Sequence, residues 1–171
     1  EVLLMDPVAE YREVLQALKP YLDDLVIIGG MAVRLYHFHA AREGTVFPVR
    51  TKDLDFAAPR KLPARGRLPV DRILLESGLK SEQSPVTGQR TPKVKYVPSE
   101  GAEEIEFLTD LVGDEEEGSV PVQEGLYAEK KRYVGLLIEG AWAIDVGEGI
   151  LVRVPHPARF IFQKILSFEK R

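Results

Sequence analysis

The 171-residue sequence has no cysteine, so no disulfide framework can staple it, and a reducing, cytoplasmic location is the expectation. It also has no long apolar run. Residues 25–33 form the longest uncharged stretch near the N-terminus, far short of the roughly 20 residues that cross a bilayer, and no membrane partner is expected. The basic, apolar, small-residue order of a secretory signal is missing from the start of the chain. Positive charge is not in excess: 27 Asp and Glu stand against 23 Lys and Arg, a net charge of −4, which argues against broad adhesion to nucleic acid and leaves only a local basic face for that purpose. Internal repeats, low-complexity tracts and zincin, Walker or nucleophile-elbow motifs are all lacking. Solenoid, metalloprotease, P-loop and serine-hydrolase readings therefore have no support.

What remains is ordinary globular composition, 44% apolar and 29% charged, with seven Phe and six Tyr. A chain of this size buries roughly 70% of its unfolded surface, enough for a core without staples. One domain over residues 1–171 is expected. Its last segment ends in Glu169-Lys170-Arg171 without a stop signal, so the natural chain is expected to run on past Arg171.

Periodicity sets out the elements. Asp6 and Pro7 suit an N-cap and first helical position, and Val8, Tyr11, Val14, Leu15 and Leu18 follow at helical spacing up to Pro20. Residues 25–28 form a short β-branched strand that stops at Gly29-Gly30, and residues 31–39 read as helix. Residues 53–56 alternate polar and apolar, the period of a half-buried strand, so Asp53 and Asp55 face the same way. Residues 59–69 read as an exposed connection and 70–77 as a helix stopped by Gly78. Strands are expected at 93–97, 104–108, 133–138, 141–146 and 150–154, and a helix begins near Pro157. The whole is α/β, more strictly α+β: a mixed sheet, with hairpins late, flanked by helices.

Two physical devices follow one another in this order. A strand that ends in paired glycines and feeds a helix lets main chain approach a ligand closely, and its free N–H groups with the helix dipole favour an anion such as phosphate. Two aspartates at i, i+2 on a strand can share hard divalent cations through oxygen ligands. A third acid would complete a two-metal site, and Glu106 on the alternating strand 104–108 is the best candidate; Glu103, Glu104 and Asp110 are alternatives if the register slips by a residue or more. Arg50 and Lys52 flank the aspartate pair and suit phosphate contacts. His37 and His39 lie two apart on a helix, the wrong spacing for shared zinc ligation. Glu115, Glu116 and Glu117 read as a solvated loop.

The stretch Ile28-Gly29-Gly30-Met31-Ala32-Val33 with Arg50-Thr51-Lys52-Asp53-Leu54-Asp55-Phe56 resembles the DNA polymerase β-like nucleotidyltransferase superfamily, whose pattern is a Gly-Gly or Gly-Ser turn, a helix, Asp-x-Asp and a later strand carboxylate. It looks closest to small prokaryotic nucleotidyltransferase-like proteins, including toxin components of type IV toxin–antitoxin systems. The resemblance is strongest over residues 28–56 and weaker out to Lys164. It implies that Gly29 and Gly30 form the triphosphate turn, that Asp53, Asp55 and Glu106 are the catalytic and metal-binding acids, and that Lys164 contacts nucleotide. Glu106 stands where Asp is usual, and the spacing from Gly30 to Asp53 is longer than in compact members.

The activity so implied is transfer of a nucleoside monophosphate from an NTP, with Mg²⁺ at a two-metal site, to a hydroxyl on a protein, a tRNA or a small molecule, releasing pyrophosphate. A cognate antitoxin is a possible partner. The alternative is a catalytically inactive member of the fold that binds nucleotide, nucleic acid or a protein.

Overall fold

The structure, a computed structural model, describes residues 6–40 and 51–168. Its first helical segment is shorter and more broken than the five apolar residues at helical spacing suggest. Helix α1 covers only Arg12–Ala17 and is flanked by 3₁₀ turns at Ala9–Tyr11 and Lys19–Tyr21. Asp6 Oδ1 accepts from the Val8 N–H at 3.0 Å, as a capping carboxylate does. The same carboxylate takes two N–H donors from Arg12, at 2.6 and 2.7 Å, and Pro20 closes the segment by sitting in the second 3₁₀ turn.

Strand β1 (Val26–Ile28) passes directly into helix α2 (Gly29–Ala40). Strand β2 (Leu54–Ala57), helix α3 (Val70–Glu76), and strands β3 (Leu79–Ser84), β4 (Lys93–Pro98) and β5 (Ile105–Asp110) follow. Then come strands β6 (Gly118–Gln123) and β7 (Leu126–Lys131), helix α4 (Gly135–Ile138), strands β8 (Trp142–Asp145) and β9 (Leu151–Val154), and helix α5 (Pro157–Phe168).

The strands make one mixed sheet in the order β3-β4-β5-β2-β1-β9-β8. β2 is antiparallel to β1 and parallel to β5. The other edge of β5 is shared: β4 pairs with its first residues and β7 with its last, and β7 carries β6 as a hairpin. The mixed α+β sheet expected from the sequence is thus the fold; of its two late hairpins, β8–β9 joins two expected strands and β6–β7 lies where none was expected.

One face of the sheet carries the main core. Ile27, Leu54, Phe56, Ile105 and Phe107 pack there against Leu15, Leu18, Met31, Leu35, Val70 and Leu74 from α1, the turn after it, α2 and α3. Phe56 and Phe107 stack at 5.4 Å and Tyr96 meets Phe107 edge-on at 6.0 Å, so β2, β5 and β4 are locked at fixed offsets by their inward rings. On the opposite face, Val26, Ile28 and Ala57 pack with Val134 and Leu137, and Leu108, Ile138 and Phe160 close the edge.

That second cluster corrects one expectation. Residues 133–138 do not form a strand: Tyr133 turns the chain with φ +69° and 135–138 are helical. Val134 and Leu137, three apart, are the buried pair, which is helical and not strand spacing. An apolar run of six cannot separate the two by periodicity. Among the described residues no helix is long and apolar enough to cross a membrane.

Candidate active site

On β2 the alternation Leu54-Asp55-Phe56-Ala57 sends Leu54 and Phe56 into the main core and Asp55 to the opposite face. On β5, Ile105 and Phe107 go to the same core, which leaves Glu106 on the face of Asp55. Register makes them neighbours: Asp55 is the cross-strand partner of Glu106 in the parallel β2–β5 pair, and of Ile28 in the antiparallel β1–β2 pair. The start of β2, the start of β5 and the end of β1 therefore meet at one lip of the sheet, where α2 begins.

Gly29 opens that helix with φ +66°, and a Cβ placed on it would stand 2.8 Å from Asp55 Oδ2. The glycine is needed twice, for its left-handed backbone and for the approach of main chain to carboxylate. A Cβ on Gly30 would meet Thr51 Oγ1 at 2.9 Å, so the second glycine seats the segment that leads into β2. That segment is tied down elsewhere. Arg34 of α2 donates to the Thr51 carbonyl at 2.9 Å and to the Pro7 carbonyl at 3.1 Å. The Tyr11 phenol donates to the Lys52 carbonyl and lies 3.4 Å from the Glu104 carbonyl, which links the starts of β2 and β5 from the core side.

Burial is the main force on Asp55. It pushes the carboxyl up to about 6, helped by the charges of Glu106 and Asp53 and opposed by those of Lys93 and Lys164. Glu106 and Asp53 thus both bear on Asp55 at the lip, with Asp53 the exposed member. Two lysines face them. Lys93 of β4 lies 2.8 Å from Glu106 Oε2. Burial works against its ammonium, but the hydrogen bond and charge of Glu106, with Glu129 and Asp55 behind it, outweigh that and leave the Lys93 pKa above the ordinary value. Lys164 of α5 is exposed, its ammonium 5.4 Å from the centre of the Phe160 ring, and its charge reaches Asp55.

The remaining acids near the predicted third position go elsewhere. Glu104 pairs with Lys95, and Glu103 accepts from the Ala102 N–H. Asp110 lies four residues along β5 from Glu106, roughly 13 Å at strand rise. It faces α4, where a Cβ on Gly135 would come within 2.9 Å of its Oδ2. Of the expected phosphate contacts, Lys52 is exposed beside Asp53, and Arg50 lies outside the described residues.

Lys93 was not foreseen. The signal was present in Lys93-Val94-Lys95-Tyr96, where Val94 and Tyr96 are buried and the lysines must share the other face. It becomes legible only once β4 is known to pair with β5.

The donor set is all carboxylate oxygen, the chemistry of a hard divalent cation. Asp53 and Asp55 offer oxygens of that kind. Glu106 is engaged by Lys93, and among the described residues no three Asp, Glu or His side chains stand together as metal ligands. No curated protein and no solved structure gives a significant match to this chain. A family model described as Nucleotidyltransferase matches residues 8–171, nearly the whole chain and all of the elements that form this lip. The chain belongs to that nucleotidyltransferase family.

Proposed function

We propose that this protein transfers a nucleoside monophosphate from an NTP to a hydroxyl acceptor. The observation that carries the proposal is the register pairing of Asp55 with Glu106 beside the glycine that opens α2. Carboxylates for a cation and bare main chain for a polyphosphate then lie on the same lip. The acceptor oxygen bonds to the α-phosphorus as the bridging bond to the β-phosphate breaks; pyrophosphate leaves and the hydroxyl proton passes to solvent. Such chemistry asks mainly for positioning and charge neutralisation.

Within this reading Gly29 and Gly30 admit the triphosphate, and Arg50, Lys52 and Lys164 contact it. Asp53 and Asp55 would hold Mg²⁺, which when bound neutralises phosphate charge and orients the α-phosphate. Glu106 fixes the inner edge of the site. The acceptor is a hydroxyl on a protein or tRNA, in line with the likeness to type IV toxin components, or on a small molecule. The setting is cytoplasmic, and an antitoxin is a candidate partner.

The direct test is to incubate the protein with Mg²⁺ and each α-labelled NTP in turn, in the presence of total tRNA or cell protein, and to follow labelled product and pyrophosphate. Transfer that is lost in Asp53→Ala and in Asp55→Ala is the expected result; product formed equally well by either variant would defeat the proposal. A second reading, a member that binds nucleotide without transferring it, draws on one observation, the engagement of Glu106 by Lys93. It predicts saturable NTP binding by calorimetry with no pyrophosphate released.

A further inference from the structure

Lys93 and Glu106 are not a surface pair. Lys93 Nζ stands 2.8 Å from Glu106 Oε2, with 16% of the Glu106 side chain and 34% of the Lys93 side chain exposed. Strand pairing holds both ends. Glu106 is fixed opposite Asp55 by β2 and opposite Lys95 by β4. Lys93 sits two residues before Lys95 on that same β4, with Val94 and Tyr96 anchored in the core between and beyond them. Glu129, 8% exposed, adds its charge to Lys93 from β7, as Asp55 does from β2.

We propose that Lys93 is a resident counter-cation that takes the charge position of a second metal, so that this site holds one divalent ion, at Asp53 and Asp55, and not two. The inference rests on the nucleotidyltransferase reading. A divalent ion bound to the free side of Glu106 would stand within a few ångströms of the ammonium in a site partly shielded from water, where like charges repel strongly. The ammonium would have to leave, while the pairing of Lys93 with Ser84 of β3 keeps its backbone in place. Glu106 is then a positioning acid held by Lys93, and Lys93 neutralises the inner half of the acid cluster without any ion.

The test counts Mn²⁺ on the full chain. Free Mn²⁺ is followed by its paramagnetic resonance signal during titration of the protein with Mn²⁺ alone. Wild type is expected to saturate at one ion per chain, Lys93→Arg at one, and Lys93→Met at two, the second ion binding about tenfold or more tightly than to wild type. Asp55→Asn should abolish the first ion, and adding Glu106→Gln to Lys93→Met should abolish the second. Two ions on wild type would overturn the inference and leave nucleotide transfer standing, as would Lys93→Met that folds by circular dichroism and still binds one. No ion on wild type would overturn both the inference and the metal-dependent reading beneath it. Should Lys93→Met fail to fold, the wild-type and Lys93→Arg counts decide the matter.

Discussion

The Cβ that Gly29 lacks would lie 2.8 Å from Asp55 Oδ2, and the backbone at Gly29 has φ +66°. Two penalties therefore await any side chain there, and a double-mutant cycle separates them. Gly29→Ala should cost about 2 kcal/mol in urea denaturation, from left-handed strain and from the displaced carboxylate together. In an Asp55→Ala background the second part disappears, and the cost should fall by about 1 kcal/mol. Equal costs in both backgrounds would mean that the carboxylate is not what the glycine makes room for.

Asp55 makes stability depend on pH in an unusual direction. Its carboxyl is raised from 3.8 to about 6, chiefly by burial and then by Glu106 and Asp53. Between those values the folded chain holds a proton that the unfolded chain has released, so stability falls as pH climbs from about 4 to about 6 and the full cost is present above about 7. That cost is at most about 3 kcal/mol. Asp55→Asn should accordingly be the more stable protein at pH 7.5 and lose its advantage near pH 4, measured by thermal melting. Mn²⁺ should raise the melting temperature of wild type at pH 7.5 more than at pH 5, and leave Asp55→Asn unmoved.

The parts of this site that could be read from the chain are those set by short-range geometry. Gly29-Gly30 after a β-branched run, and alternation through residues 53–56 and 104–108, fix a turn and two faces without any knowledge of neighbours. Pairing is a different matter. That Asp55 lies opposite Glu106, and not opposite Glu104, depends on the β2–β5 register, which the stacked Phe56 and Phe107 rings help to hold.

Three strands left no local trace. Residues 79–84 are polar beyond Leu79 because β3 is an exposed edge, and edge strands with Lys and Glu read as loop. Pro121 interrupts β6, where the β6–β7 ladder shifts register; proline at a bulge or edge is tolerated, yet in sequence it argues against a strand. Glu129 in β7 is buried and pairs at 2.8 Å with the exposed Lys131, a pair that composition alone presents as mixed surface charge.

Tyr11 holds the lip from behind. Its phenol donates to the Lys52 carbonyl, immediately before Asp53, and lies 3.4 Å from the Glu104 carbonyl. Burial, with the charge of Asp53 next, raises its pKa, so it stays a neutral donor throughout the working range. Tyr11→Phe should cost about 1–2 kcal/mol by leaving a part-buried carbonyl unmatched. It should also lower kcat for nucleotide transfer more than it changes KM for the NTP, because Asp53 shifts while the glycine turn stays. Full activity in Tyr11→Phe, at reduced stability, would confine the residue to the core.

Lys164 offers the cleanest separation of charge from structure. Helix α5 has no fully buried residue, and Lys164 itself is exposed, so truncating it should alter unfolding free energy by no more than about 0.5 kcal/mol. Its charge nonetheless lowers the Asp55 pKa. Removing it should therefore let that pKa rise further, moving the pH window over which stability declines to higher pH in Lys164→Ala, while Lys164→Arg keeps the window in place. The same lost charge should weaken NTP binding about tenfold in calorimetry at low salt, the loss shrinking as ionic strength rises. A Lys164→Ala protein with an unmoved pH window and unchanged NTP affinity would show that α5 stands too far from the lip for its lysine to serve the acids, and nucleotide contacts would have to come from the segment that carries Lys52.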